Sequence, residues 1–339
     1  MSFFRKILFP FSLLYGLITA IRNYLYNKNI LKSTIFKTST IVVGNLSVGG
    51  TGKTPQIEYL IRLLQHEYKI AVLSRGYKRK SKGFIIANEY VTANEIGDEP
   101  FQYYKKFPSI IVAVDANRVN GIQQLETLKN SPDLILLDDA FQHRKVKGGF
   151  NILLTPYNNL YADDTMMPTG DLREYKSGAK RAQVIIITKC PNDISEATQF
   201  KIIKKLNVTS KQTVFFTTIE YDNELKGTSK LNLLDLKNSE ILLITGIANP
   251  TPLTDYLTSL KIKFKHLKYP DHYYFNEKDI LDVKSEFDLI KTNNKIVLTT
   301  EKDYVRIFAK LQNLRFISIK TKFVTNSMSF DKLIKKYVE

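Results

Sequence analysis

Short apolar runs rich in valine, isoleucine and leucine recur from residue 40 onward, separated by helical stretches or turn residues. They fall at residues 41–43, 70–73, 110–114, 134–137, 152–154, 184–187, 214–216, 241–244, 296–298 and 316–319. Within each run the positions do not alternate apolar with polar. Strands buried on both faces have this pattern, and they build parallel sheets covered by helices. The chain therefore predicts an α/β architecture with a mostly parallel sheet. These strands outnumber what one nucleotide-binding domain needs. The turn-rich stretch 155–180 suggests a division: a helical segment over 1–37, a nucleotide-binding domain over 38–155, and a second, smaller α/β domain over 156–339.

The N-terminal segment has a different rhythm. An uncharged run from residue 7 to residue 21 follows Arg5-Lys6 and precedes Arg22. It is shorter than the ~20 residues that span a bilayer. Pro10 suits the first turn of a helix. Leu14, Leu17, Ile18, Ile21 and Leu25 then keep helical spacing on one face, with Arg22, Asn23, Tyr26 and Lys28 at or near the polar side. This is the pattern of an amphipathic helix lying in a membrane interface; a helix packed on the domain's own core shares it. No small-residue cleavage site follows Ile21, so the segment is not read as a secretory signal.

The strand at 40–43 leads into Ser47-Val48-Gly49-Gly50-Thr51-Gly52-Lys53-Thr54 and then a helical stretch. Strand, glycine-rich loop and helix are the context of a phosphate-binding P-loop. The glycines let backbone N–H groups turn onto a phosphate at a helix N-terminus. Lys53 is placed to reach the β- and γ-phosphates of ATP, and the Thr54 hydroxyl to hold Mg²⁺. Ser47 stands where the usual pattern has its first glycine. A second element reinforces the assignment: 134–137 is an apolar strand ending in Asp138-Asp139, the Walker B pattern, whose carboxylate supports that Mg²⁺. The core is thus expected to be of P-loop NTPase type.

Other candidates sit beyond strand ends, where open α/β sheets bind ligands. Arg75 and Tyr77 open the basic loop 74–83. Asp98 and Glu99 follow Gly97, and adjacent carboxylates can hold Mg²⁺ or take a proton from a hydroxyl. Asn117 and Arg118 follow another strand, with Arg118 a candidate to face phosphates. Residues 168–174 begin a predicted helix, and its Arg173 is a candidate phosphate clamp. His143, beside the Walker carboxylates, and His272, among aromatics, are candidate polar groups.

Charge narrows the partner. The 339 residues carry a formal charge of +17, which asks for an anionic partner. No acidic residue precedes Glu58, whereas Arg5, Lys6, Arg22, Lys28, Lys32 and Lys37 precede the P-loop strand. That asymmetry favours a membrane surface, and no nucleic-acid-binding motif is present. The single Cys190 excludes an internal disulfide framework.

Together these residues resemble the tetraacyldisaccharide 4'-kinases, the lipid A 4'-kinases of Gram-negative bacteria. The resemblance rests on the N-terminal segment, Gly44-Asn45 with Gly49 to Pro55, Ser74-Arg75-Gly76-Tyr77 and Gly97-Asp98-Glu99-Pro100. It continues through Asp138 to His143, Pro168 to Glu174, Asp271-His272-Tyr273 and Thr300-Glu301-Lys302-Asp303. It implies two α/β/α domains with the nucleotide cleft between them. It implies transfer of the γ-phosphate of ATP to the 4'-hydroxyl of a tetraacyldisaccharide 1-phosphate, at the cytoplasmic face of the inner membrane. By resemblance Asp98 is the base, supported by His272. Lys53 and Thr54 hold phosphates and Mg²⁺, and Asp138 or Asp139 completes the metal site. A monomer is expected. The alternative is a membrane-associated P-loop switch ATPase, which hydrolyses ATP without a lipid acceptor.

Overall fold

The computed structural model describes residue 5 and residues 7–339, apart from 229, 293, 308–310, 312–313 and 325–326. The apolar runs become two sheets. The first contains β1 (Ser39–Asn45), β2 (Ile70–Ser74), β3 (Ile85–Ile86), β4 (Ile111–Val114), β5 (Leu134–Asp138), β6 (Phe150–Pro156), β7 (Val184–Thr188) and β8 (Thr213–Tyr221). The second contains β9 (Glu224–Gly227), β10 (Leu231–Asn232), β11 (Glu240–Thr245), β12 (Lys263–Lys268), β13 (Lys295–Thr300) and β14 (Leu314–Ile317). The chain then returns to the first sheet as β15 (Ile319–Phe323). The orders are β15-β8-β7-β6-β1-β5-β2-β4-β3 and β10-β9-β14-β13-β11-β12. From β8 to β4 the first sheet is parallel, with antiparallel β15 and β3 at its edges. The P-loop strand β1 lies between β6 and the Walker strand β5 in the middle of the sheet, and because β1 and β5 are parallel their carboxyl ends lie on the same side.

The period of two along each strand sorts the core. Ile41 and Val43 pack with Ile57, Leu60 and Ile61 of helix Lys53–Leu64. Val42, pointing the other way, joins Ile122 and Leu125 of helix Arg118–Glu126 and Ile202 of helix Glu196–Leu206. Both faces are covered, which is why the runs show no polar alternation.

The division expected near residue 155 does not coincide with the sheets. β6 runs through it, and Thr155 pairs with Ile187 in the same sheet. The chain leaves the first sheet after Tyr221 and rejoins it at Ile319. The run 316–319 is therefore not one strand: Phe316 and Ile317 belong to β14, Ile319 to β15, and the buried Ser318 lies between them. The turn-rich stretch 155–180 is a loop beyond the strand ends, and turn residues mark a loop whether or not a boundary lies there. The edge strand β12 escapes the apolar-run criterion because Lys263, Lys265 and Lys268 break it; lysines commonly guard such edges.

Helix Phe9–Asn27 docks through its small and polar side. Ser12, Gly16 and Tyr26 are buried. The Ser12 hydroxyl donates to Thr169 Oγ1 (2.6 Å) and accepts from the Thr169 N–H (2.9 Å). A Cβ at position 16 would stand 2.5 Å from the Tyr175 hydroxyl oxygen. Leu13, Leu14, Leu17, Ile18 and Ile21 remain between 50% and 57% exposed, so the apolar face is not used against the chain's own core. Lys6 lies outside the described residues. Among the described residues, no helix is long and apolar enough to cross a membrane.

Helix Ser327–Val338 closes the first unit. Phe330 is fully buried against Phe215 and Tyr59, and the Tyr59 hydroxyl donates to Asp331 Oδ1 at 2.8 Å. Emptying so tight a site removes both transfer energy and packing. Phe330→Ala is expected to lower unfolding free energy by about 3–5 kcal/mol in urea titration. A loss below about 1 kcal/mol would mean that the C-terminal helix adds little to the fold.

Candidate active site

β1 delivers the phosphate loop and helix Lys53–Leu64 receives it. Gly49 (φ 108°) and Gly52 (φ 91°, just before the helix) occupy the left-handed region that glycine adopts without strain. The loop is braced from behind. Asn45 Nδ2 donates to the Ser47 carbonyl (2.6 Å) and the Ser47 hydroxyl to Asp164 Oδ2 (3.1 Å). The Val48 N–H donates to the Asp171 carbonyl at 2.8 Å. From β7, the Thr188 hydroxyl donates to the Thr51 carbonyl (2.8 Å) and Lys189 Nζ to the Gly50 carbonyl (2.5 Å). Gly50 and Thr51 therefore have their carbonyls engaged outward.

The two Walker carboxylates occupy different environments. Asp138 is buried; its Oδ2 accepts from the Ser74 hydroxyl (3.3 Å), and its Oδ1 has no hydrogen-bond partner among the described residues. Burial, with the charge of Asp139 beside it, pushes the Asp138 carboxyl up to about 7 against the pull of Lys53 and Arg118. Asp139 (φ 48°) is more open. Burial would raise it too, but Lys53 at 3.7 Å and Arg173 at 3.0 Å hold it below the usual carboxylate range. Lys53 and Arg173 thus share the Asp139 carboxylate.

A buried carboxylate oxygen with no partner, on the strand paired with β1, suits a hard cation. No group of three His, Cys, Asp or Glu poised around a metal exists among the described residues. That fits Mg²⁺, which is commonly held by one or two carboxylates together with phosphate oxygens and water. Glu99, expected as a further ligand, pairs instead with Lys302 Nζ at 3.2 Å.

Asp98 begins helix Asp98–Lys106 after Gly97, and His272 lies in the loop after β12 of the second sheet. The structure brings them together. Asp98 Oδ2 lies 3.2 Å from His272 Nδ1 and accepts from Arg306 Nη2 (2.6 Å) and Nε (3.0 Å). Both ring nitrogens of His272 face donor-only cations, Nε2 with Lys302 Nζ at 3.1 Å and Nδ1 with Arg306 Nη2 at 3.0 Å. Burial would raise the Asp98 carboxyl, but the bonds from His272 and Arg306, and the Arg306 charge, outweigh it and hold it at about 2. Oδ1 of Asp98 accepts no hydrogen bond among the described residues. The Tyr77 ring meets the His272 ring edge-on at 5.7 Å.

A family model, LpxK: Tetraacyldisaccharide-1-P 4'-kinase, matches residues 4–339. The chain belongs to this kinase family. Proteins of Flavobacterium psychrophilum and Flavobacterium johnsoniae, both named tetraacyldisaccharide 4'-kinase, are 57% and 52% identical to it over 100% of this chain and 98% of theirs. A crystal structure of LpxK from Aquifex aeolicus in complex with ATP superposes with a TM-score of 0.79 at 32% identity, covering 99% of this chain and 100% of that one.

Two sequence expectations for the kinase need correcting. Arg118 does not face the cleft. It is 2% exposed, and its guanidinium donates to the carbonyls of Asp115 (2.6 Å) and Asp138 (3.1 Å), bracing the Walker strand from below. Residues 168–174 are not a helix. They form a loop that bonds to the phosphate loop, with the Arg173 N–H donating to the Leu46 carbonyl at 2.8 Å. The Arg173 guanidinium donates to Asp139 Oδ1 at 3.0 Å. Arg75 is exposed at the end of β2. Asn117 lines a cleft of about 390 Å³ with Tyr26, Lys32 and Lys145, beside the N-terminal helix. His143 is half-buried; burial, and the charges of Arg118 and Lys145, pull it down to about 4.

Sequence reading missed Arg306, Asp164, Lys189 and the hub formed by Glu174. The Glu174 carboxylate is buried and accepts from Arg181 (2.8 and 2.9 Å), Gln142 (3.0 Å) and Asn23 (2.8 Å). Only a surface Arg-Glu pair was visible in the local sequence. Removing one charge of a mostly buried pair leaves the other uncompensated. Glu174→Gln is expected to cost about 2–3 kcal/mol in urea titration, with Arg181→Gln adding little to it. Independent, additive losses would refute the pair.

Proposed function

We infer that this chain transfers the γ-phosphate of ATP to the 4'-hydroxyl of a tetraacyldisaccharide 1-phosphate, a step of lipid A biosynthesis, at the cytoplasmic face of the inner membrane of a Gram-negative bacterium. The observation that carries this is a family match over residues 4–339 in a chain where Asp98 Oδ2 and His272 Nδ1 lie 3.2 Å apart. The match sets the switch ATPase aside.

Phosphoryl transfer needs little covalent help from a protein; it needs alignment and charge. Lys53 leaves Asp139 for the β- and γ-phosphates, and Arg173, already on Asp139, supplies a second cation at the same place. Thr54 and Asp138 would hold Mg²⁺, Asp139 being the more committed to cations of this chain. When bound, Mg²⁺ neutralises charge on the phosphate oxygens. Asp98 Oδ1 receives the acceptor hydroxyl. With its carboxyl held at about 2, Asp98 is ionised throughout the physiological range but is a weak base. It orients the hydroxyl and takes the proton late, as a loose transition state allows. Arg75 and Tyr77 lie at the adjoining strand end for the disaccharide, with Asn117 in the neighbouring cleft. The two units, meeting at Asp98, exclude water from the phosphate.

The deciding experiment is transfer from labelled ATP to a tetraacyldisaccharide 1-phosphate in mixed micelles. Wild type labels the lipid with Mg²⁺ and not with EDTA, whereas Lys53→Ala and Asp98→Ala lose at least about 100-fold. ATP consumed with no labelled lipid would overturn the assignment.

The exposed apolar face of Phe9–Asn27, bounded by Arg5, Arg22 and Lys28, supports peripheral membrane binding. Leu14→Asp with Ile18→Asp is expected to release the protein from anionic vesicles in flotation. Undiminished binding would place the membrane contact elsewhere.

A further inference from the structure

We propose that Arg306 is a positioning residue for phosphoryl transfer: it grips one oxygen of Asp98 and so turns the other toward the acceptor hydroxyl. This rests on the reading of Asp98 as the group that receives that hydroxyl.

The guanidinium is anchored before it reaches Asp98. Arg306 belongs to helix Glu301–Ile307, which follows β13 in the second unit. Its Nη1 donates to Asp303 Oδ1 (3.1 Å) and to the Gly246 carbonyl (3.3 Å). Asp303 is fully buried and accepts from the Gly246 N–H (2.8 Å) and the Thr300 hydroxyl (2.8 Å), so it is itself fixed. One side of the fork is therefore held by the second unit, and the Nε–Nη2 edge projects to the first.

The way this edge meets Asp98 is unusual. Arginine and carboxylate commonly pair oxygen for nitrogen, two parallel bonds using both oxygens. Here Nε and Nη2 both donate to Oδ2, His272 Nδ1 lies 3.2 Å from the same oxygen and 3.0 Å from Nη2, and Oδ1 accepts no hydrogen bond among the described residues. A grip through a single oxygen fixes the carboxylate's rotation while keeping its other oxygen available. Lysine cannot reproduce this, because one ammonium cannot hold Asp303 and Gly246 with one edge and Asp98 with another. The contact also joins the two units, flanked by Lys302–Glu99 (3.2 Å) and Lys106–Glu301 (2.8 Å). Asp98 is therefore oriented only when the second unit has closed on the first.

A misdirected carboxylate should slow the chemical step and leave the phosphate loop untouched. Arg306→Met is expected to lower kcat by about 10- to 100-fold with the KM for ATP within about 3-fold of wild type. Arg306→Lys, which keeps the charge and the stem and guards against a folding failure, is expected to recover no more than about a tenth of wild-type kcat. In an Asp98→Asn background, Arg306→Met should cost less than about 3-fold further, since both changes remove one interaction. Wild-type kcat in either Arg306 variant overturns the proposal, and so do losses that multiply in the double variant. If Asp98→Asn alone keeps wild-type kcat, the reading of Asp98 fails and the proposal goes with it. A slow Asp98→Asn beside a fast Arg306→Met condemns the Arg306 role alone.

Discussion

A carboxylate taken out of water persists as an anion only with its lone pairs engaged, and Glu174 meets that condition through three separate parts of the chain. Arg181 comes from its own loop, Gln142 from the loop after the Walker strand, and Asn23 from the N-terminal helix. The same loop continues upstream to Arg173, whose N–H bonds to the segment entering the phosphate loop and whose side chain holds Asp139. Tyr15 of the N-terminal helix donates to the Arg173 carbonyl at 3.0 Å. The helix that carries the exposed apolar face is thus bonded directly to the residues that arrange phosphate binding. A lipid acceptor and a water-borne nucleotide have to meet at one point, and this loop places the two surfaces within one hydrogen-bonded assembly.

The two adjacent Walker aspartates show how burial divides labour. Asp139 is matched by cations of the chain itself, Lys53 and Arg173, and stays ionised. Asp138 is deeper, keeps one oxygen without a partner, and carries the cost of a neighbouring like charge. An external cation relieves Asp138 more than Asp139. The sequence reading left the choice between them open. Their different surroundings follow from position, Asp138 being the last residue of β5 and Asp139 the next, already at positive φ. Two neighbours in sequence can differ in this way with nothing local to announce it.

What the sequence made legible was whatever depended on short-range pattern. Continuous apolar runs marked the parallel strands because both faces of the sheet are covered, and Gly52-Lys53-Thr54 after β1 marked the nucleotide end. Hydrophobic spacing in the N-terminal helix was legible too, including the side that stays open. Illegible features arose where distant segments meet. The inserted second sheet begins after Tyr221 because β8 still finds a place beside β7, a fact of strand pairing and not of composition. Arg118 follows a strand as a phosphate ligand might, yet its guanidinium turns under β5 to meet backbone carbonyls. Arg306 lies 208 residues from Asp98, and no spacing rule connects them. The resemblance to a family carried His272 to Asp98, but the arginine and lysine that set the pair's geometry came only from the structure.

The interface between the units also shows which contacts cross it. Lys106 donates to Glu58 and to Glu301, each at 2.8 Å. Glu58 is 1% exposed on the phosphate-loop helix and has Gln102 and Arg62 as further donors. Stripping Lys106 from it would leave a buried anion short of a cation. Glu301 is 12% exposed, and burial together with the charge of Glu58 raises its carboxyl. Lys106 and Glu58 both belong to the first unit and Glu301 to the second, so of the two contacts only Lys106–Glu301 crosses between the units. Asp98, already ionised, would lose Arg306 and His272 if the units parted, while the Lys53–Asp139 and Arg173–Asp139 contacts, all within the first unit, remain. Nucleotide binding and orientation of the acceptor-facing carboxylate are thereby placed on separate contacts. The contacts of Lys53 and Arg173 lie within the first unit, whereas those that hold Asp98 come from the second.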